Sequence, residues 1–317
     1  MDLYNIHGDT GGDWRMNKFK EYCDGDIDDT LAPMNWLLKK AGANRGDRIW
    51  ASFLYSTCYC LGTTMFMYNE LFYGTLTPRK LDEFWEDYKK DLVFQTDRKY
   101  AKNLNWFVPM VVQFMAKTKR DPEKYFRPLL TGTPEEVYRK MYKEVSGWKF
   151  FGRFSTILFL KTLISILPIE MDFDTEYDWA NGETTTAGAL ILHYRDEEAK
   201  QFLLDHKITP DMKKYFDELL EECKGKIAGN MLHTSSAFCS HFKLYKEQRY
   251  LGYYVDRGQH ELRTLQKNLP QAHELWDRIW IARRRTIDWK YLGEINGWAG
   301  TRPEKCHDFM KTGRMYE

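Results

Sequence analysis

The sequence predicts a mainly α, multi-helix fold with few or no strands. Apolar residues recur at helical spacing along most of the chain, X-Pro pairs sit where helices would begin, and alternating strand patterns are scarce. Four pairs mark starts: Thr77-Pro78, Asp121-Pro122, Thr133-Pro134 and Thr209-Pro210. In each, Thr or Asp can cap the unpaired amides and Pro fits the first turn. Glu136 completes a capping box with Thr133. The helix that follows carries Val137, Met141 and Val145 on one stripe and should stop near Gly147.

The remaining elements follow from the same period. Ile49 to Leu71 reads as one long apolar helical segment, and Leu81 to Tyr88 as a short amphipathic helix. Asn105 to Met115 reads as another, with Pro109 as a kink. Ser155 to Leu167, apolar except for Lys161 and a few hydroxyls, predicts a central buried helix. Asp211 to Cys223, Ser235 to Gln248 and Gln259 to Leu269 complete the set. Tyr250 to Val255 is the best short strand pattern.

Composition narrows the function classes. The 317 residues hold 47 Lys+Arg against 46 Asp+Glu, a net charge of +1, with 16 % aromatics. That is too aromatic for disorder, and six Cys are too sparse for a disulfide scaffold. No window reaches the apolar length of a membrane span. The first residues show no basic stretch followed by an apolar one, so a secretory signal is not expected and a cytoplasmic location is. The near-zero charge is unevenly laid out: +6 over residues 86–153, −7 over 154–240 and +5 over 241–317. Basic blocks flanking an acidic one suit a cleft that holds a polyanion; they equally suit a mixed surface.

No metal or cofactor is expected. Cys58-Tyr59-Cys60 lies in an apolar helical segment, where the two sulfurs point apart, and no partner C-x-x-C or H-x-x-x-H exists. Neither a Walker A loop nor a dinucleotide glycine fingerprint is present.

Three clusters are dense in polar chemistry. The first is Phe94-Gln95-Thr96-Asp97-Arg98-Lys99-Tyr100, where an acid beside two bases can hold a phosphate and accept a proton. The same pattern suits a solvated helix start capped by Thr96 or Asp97. The second, Phe150-Phe151-Gly152-Arg153-Phe154-Ser155, leads into the apolar helix. Free amides at a helix start attract phosphate, a glycine permits close approach, and Arg153 adds a clamp. A plain interhelical connection is the alternative. The third is Tyr250-Leu251-Gly252-Tyr253-Tyr254-Val255-Asp256-Arg257, preceded by Lys243, Lys246 and Arg249. Adjacent tyrosines can stack on a base; a buried turn with an Asp–Arg ion pair fits as well. Asp172, Asp174 and Asp178 follow the second cluster by about twenty residues. That arrangement resembles the helix-hairpin-helix of DNA glycosylases, without the usual pair of hairpin glycines.

In order and spacing, Asp97-Arg98-Lys99, Phe151-Gly152-Arg153-Phe154 and Tyr253-Tyr254-Val255-Asp256-Arg257 resemble the phage amino acid:DNA transferases. These are also called the glutamyl/putrescinyl thymine pyrophosphorylase family. The resemblance spans residues 32–262, leaving an acidic segment, 1–31, and a basic C-terminal arm, 263–317. Gly182 to Gly188 departs from it, being less basic than the family pattern.

The resemblance implies a DNA-glycosylase-like helical fold and an enzyme acting in the infected host's cytoplasm. Its substrates would be a free amino acid such as glycine and double-stranded phage DNA carrying phosphorylated 5-hydroxymethyluracil. The amine would displace phosphate or pyrophosphate, and the modified DNA would resist restriction. Set against that chemistry, Asp97 or Asp256 would take the amine's proton, Arg98, Lys99 or Arg153 would neutralise the leaving group, and Arg257 would hold the amino acid's carboxylate. Gln95, Lys99, Gly152, Arg153, Phe154, Lys243, Tyr253 and Tyr254 would contact DNA or substrate, with Tyr253 or Tyr254 stacking on a flipped base. A glycosylase that uses Asp172 or Asp174 to activate water, and a non-catalytic helical DNA-binding protein, are the alternative readings.

Overall fold

All four X-Pro pairs begin helices. In a computed structural model of the chain, Thr77, Asp121 and Thr133 accept hydrogen bonds from the amides of Lys80, Lys124 and Glu136, and Thr209 accepts one from Met212. The capping box at Thr133 closes reciprocally with Glu136. The structure describes residues 16, 30–95, 98–173, 178–180, 184–223 and 253–286, with side chains 253–257 and 259 outside that set.

Among the described residues there are fourteen α-helices and no strand. They are α1 (Leu31–Lys40), α2 (Arg45–Cys58), α3 (Leu61–Glu70), α4 (Pro78–Tyr88), α5 (Lys99–Asn103), α6 (Phe107–Thr118) and α7 (Pro122–Phe126). Then come α8 (Pro134–Ser146), α9 (Arg153–Ile166), α10 (Thr184–Leu192), α11 (Asp196–Asp205), α12 (Pro210–Cys223), α13 (Tyr253–Asn268) and α14 (His273–Thr286). None is long and apolar enough to cross a membrane.

Three local expectations are corrected. The apolar run Ile49–Leu71 is two helices, broken where Tyr59 turns into the left-handed region at φ 54°. Periodicity does not report such a break, because the apolar residues continue across it. Pro109 does not kink a helix: it is the third residue of α6, where no intrahelical amide bond is lost. Tyr253 to Val255 lie in α13 rather than a strand, and Tyr250 to Gly252 are outside the described residues. The predicted helix Ser235–Gln248 also lies outside them.

The chain divides into two compact units. The larger comprises Asp29–Met171, Arg257–Ile287 and Asp308–Glu317. Its core is aromatic. Phe53 stacks on Phe114 at 4.2 Å and on Phe151 at 5.7 Å, and Trp148 and Phe159 extend the cluster. Arg48 ties α1 to the end of α9 by donating to Asn35 Oδ1 and to the Ile166 carbonyl, at 3.1 and 3.0 Å. Helix α13 seats on α3 at Gly62, where an added Cβ would lie 2.4 Å from Leu265 Cδ1.

The smaller unit comprises Met1–Asp28, Asp172–Asp256 and Asp288–His307. Its α10 is buried nearly throughout. Trp179 stacks flat on Phe216 at 4.3 Å, and the Trp179 carbonyl accepts from Thr186 at 2.6 Å.

Candidate anion site at the start of helix α9

Helix α9 begins without a side-chain cap. Its N-cap is Gly152, in extended conformation, and a Cβ there would meet nothing within 4 Å. The glycine is therefore not required by crowding from the protein; it leaves the helix start without a side chain over it. Amides at an uncapped start attract anions. Arg153, half-buried, is the first helical residue, and Phe154 follows at 43 % exposure.

The first and second clusters meet here. Arg98 is 1 % exposed. Its Nη2 donates to Ser155 Oγ at 2.5 Å, and its Nη1 donates to the Tyr100 hydroxyl. The guanidinium carbon lies 5.3 Å from the Tyr100 ring and 5.9 Å from the Phe154 ring. Arg98 is thus fixed by α9 and faced by aromatics, a setting in which its charge acts at low dielectric. Gln95 anchors the loop before it: the Gln95 amide donates to the Cys58 carbonyl at 3.0 Å, and its carbonyl accepts from the Arg98 amide at 2.7 Å. The Gln95 side chain is 7 % exposed, and its Nε2 has no hydrogen-bond partner among the described residues.

The flanking surface is aromatic and basic. Trp106 stacks on Phe150 at 4.7 Å and meets Tyr100 edge-on at 5.2 Å, while Lys149 Nζ sits 5.0 Å from the Phe150 ring. Phe150 holds a left-handed backbone, φ 67°, which a bulky residue adopts only when its surroundings enforce it. The two stretches that build this surface, 98–106 and 145–156, contain no acid, while Arg98, Lys99, Lys102, Lys149 and Arg153 supply five cations.

Behind Gln95 lie two thiols and a carboxylate that sequence reasoning did not join to the site. Burial pushes the Cys58 thiol up to about 12; its Thr64 and Cys60 hydrogen bonds and the Arg98 charge only partly offset this, and Glu261 adds to it. Burial and the Glu261 charge likewise hold Cys60 well above the ordinary thiol range. Both stay protonated at neutral pH, so neither is an activated nucleophile. Glu261, on α13, is 7 % exposed.

The structure brings together Gln95, Arg98, Gly152, Arg153 and Phe154 of the predicted residues. Lys99 is exposed at the first position of α5. Asp97 and Lys243 lie outside the described residues, as do the side chains of Tyr253, Tyr254, Asp256 and Arg257, whose backbone opens α13. Tyr59, whose ring meets Phe154 edge-on at 5.8 Å, Trp106 and Glu261 were missed. The acid-free composition around Trp106 was a readable signal, whereas nothing local in the sequence marks Glu261. No group of three or more His, Cys, Asp or Glu is placed to hold a metal among the described residues.

A buried guanidinium at a helix start without a side-chain cap, beside two aromatic and basic stretches, 98–106 and 145–156, defines a protein suited to an anionic substrate that carries planar rings. The comparisons give that class its family. The amino acid:DNA transferase family profile matches residues 27–249, and the chain belongs to that family. It is a transferase that joins an amino acid to DNA. A relative, the serinyltransferase of Salmonella phage ViI, is 23 % identical over 297 residues, covering 84 % of this chain and 70 % of the relative. No solved structure matches the chain.

Proposed function

We propose that the chain couples a small amino acid, glycine or serine, through its amine to phosphorylated 5-hydroxymethyluracil in double-stranded phage DNA. The new C–N bond forms at the 5-methylene carbon as the C–O bond to phosphate or pyrophosphate breaks. The electron pair leaves with the anion, and the amine's surplus proton passes to a carboxylate. The observation that carries this reading is the Arg98 guanidinium docked on Ser155 at the start of α9. Charge develops on the departing oxygen, and preformed donors at that point lower the barrier. Arg153 and Lys99 extend the same positive field.

Asp97 and Asp256 are the candidate bases, and Arg257 is a candidate for the amino acid's carboxylate. Tyr253 or Tyr254 would stack on an extruded pyrimidine, Phe154 is a substrate-contact candidate, and Lys243 would meet the DNA backbone. The serinyl relative supports a small amino acid. Modification of this kind, made in the infected host's cytoplasm, would shield phage DNA from restriction.

The test is direct. The protein is incubated with phosphomethyluracil DNA and a mixture of amino acids, the DNA is digested, and nucleoside masses are read. An intact nucleoside in which the amino acid, linked through its nitrogen to the 5-methylene carbon, has replaced the phosphate is expected. Abasic product, or no change in mass, rejects the reading.

A further inference from the structure

Trp148 and Phe151 are 3 % and 4 % exposed and pack their rings against Phe53 in the core. Phe150 stands between them in sequence but stacks instead on Trp106, at 4.7 Å with the ring planes 20° apart, and both rings are partly exposed. The left-handed backbone of Phe150, φ 67°, costs free energy that its surroundings must offset. The Phe151 amide donates to the Trp148 carbonyl at 3.0 Å and closes the turn around it. Trp106 is held as firmly. Its amide donates to the Ala101 carbonyl at 2.8 Å, and Asn105, also left-handed at φ 53°, accepts from Trp85 Nε1 at 3.2 Å. Leu104, at the same corner, is 56 % exposed. Two braced corners thus present an apolar step made of Leu104, Trp106 and Phe150.

Tyr100 connects this step to the anion site. Its hydroxyl accepts from Arg98 Nη1, its ring lies 5.3 Å from the guanidinium carbon, and it meets Trp106 edge-on at 5.2 Å. Lys149 Nζ sits 5.0 Å from the Phe150 ring, and the stretches 98–106 and 145–156 contribute five cations and no acid. The substrate is DNA. On such a surface cations meet phosphates, and an apolar step meets the faces of bases. An extruded nucleotide stays joined to its strand at the gap it leaves. A filler for that gap must therefore sit close to the group that takes the anion carried by the extruded base. Tyr100 supplies that closeness, touching Arg98 on one side and Trp106 on the other.

We propose that Trp106 and Phe150, with Leu104 beside them, enter the base stack at the space left by the extruded base and hold the duplex open during transfer. The inference rests on the transfer reading above and adds the part that keeps the double helix apart, a task separate from neutralising the leaving group.

The experiment compares two duplexes that carry phosphomethyluracil, one opposite adenine and one opposite a pyrene nucleotide. Pyrene fills the space of the pair and leaves the target base outside the stack, so no wedge is needed there. Trp106→Ala and Phe150→Gly should each lower kcat/KM on the adenine duplex by about 10- to 100-fold, the size of a lost base-stacking contact. On the pyrene duplex both should stay within a few fold of wild type. Dissociation constants, which need no chemistry, should follow the same pattern. Glycine takes a left-handed backbone without strain, so Phe150→Gly should melt close to wild type and keeps the comparison decisive should Trp106→Ala fail to fold. Equal losses on the two duplexes would make the rings a binding surface only, and no loss on either would place them off the DNA; both results overturn the proposal. Absence of transfer by wild type to both duplexes brings down the transfer reading, and the dissociation constants then still decide the wedge.

Discussion

Arg98 Nη2 and Ser155 Oγ lie 2.5 Å apart, although 57 residues separate them in sequence. The bond joins a basic cluster that reads as a helix start to the first turn of the central helix. It fixes the guanidinium where the helix amides already favour negative charge. Removing the fork should therefore affect chemistry more than binding. Arg98→Lys keeps the charge but loses the planar fork that donates through both Nη atoms, and kcat on phosphomethyluracil DNA should fall about 10²-fold or more, with a smaller change in DNA affinity. A parental kcat in that variant would remove Arg98 from the leaving-group role.

Gly152 allows activity and stability to be moved in opposite directions. Its surroundings are open and its backbone is ordinary, so Gly152→Ala should change the melting temperature little. Gly152→Asp places a favoured N-cap on α9 and should add about a few tenths of a kcal/mol of stability. The same carboxylate would occupy the helix start and repel an incoming phosphate. Transfer should fall while the melting temperature rises. A variant that gains stability at full activity would show that no anion binds there.

The helices were legible because their signals are local. Thr77, Asp121, Thr133 and Thr209 each cap within three residues, and that chemistry is written in adjacent letters. The division at Tyr59 was not legible, since a left-handed residue inside an apolar run leaves no mark on periodicity. The site divides in the same way. Arg98, Gly152 and Arg153 stand out as clusters in sequence, whereas Glu261 comes to act on Cys58 and Cys60 only through long-range packing.

Gly62 reports on how α13, which opens with Tyr253, Tyr254, Asp256 and Arg257, is seated. A Cβ at Gly62 would lie 2.4 Å from Leu265 Cδ1 and 3.6 Å from Leu262 Cδ1 and the Trp276 ring. All three neighbours are buried, so the helix itself must move. Gly62→Ala should lower stability by about 1–3 kcal/mol, read by chemical denaturation. An unchanged midpoint would mean that α13 yields freely.

The aromatic and basic surface should give two separable DNA-binding effects. Lys149→Ala should reduce the slope of log affinity against log salt by about one, because each phosphate contact releases a counterion. Trp106→Ala removes the ring between Phe150 and Tyr100 and leaves the charge unchanged. It should weaken binding by about 1–3 kcal/mol with the salt slope intact. Equal slopes for the Lys149 variant and wild type would place the DNA elsewhere.

Glu144 sets an acid limit on the larger unit. It accepts from Lys117 Nζ and Trp148 Nε1, each at 2.9 Å, and from the Tyr125 hydroxyl. Burial raises its carboxyl, but these three donors outweigh burial and hold it at about 2, below the ordinary 4.5. A folded-state value below the unfolded one means that the unfolded chain binds the proton first as pH falls. The stabilisation is therefore complete above about pH 4.5 and is lost progressively down to about pH 2. At this half-exposed position, water screening reduces it to about 1–2 kcal/mol. Glu144→Gln should remove that part of the acid sensitivity and lower stability at neutral pH by a similar amount. Denaturation midpoints between pH 2 and 7 check it: parallel curves for the variant and wild type would mean that Glu144 titrates alike in folded and unfolded chains.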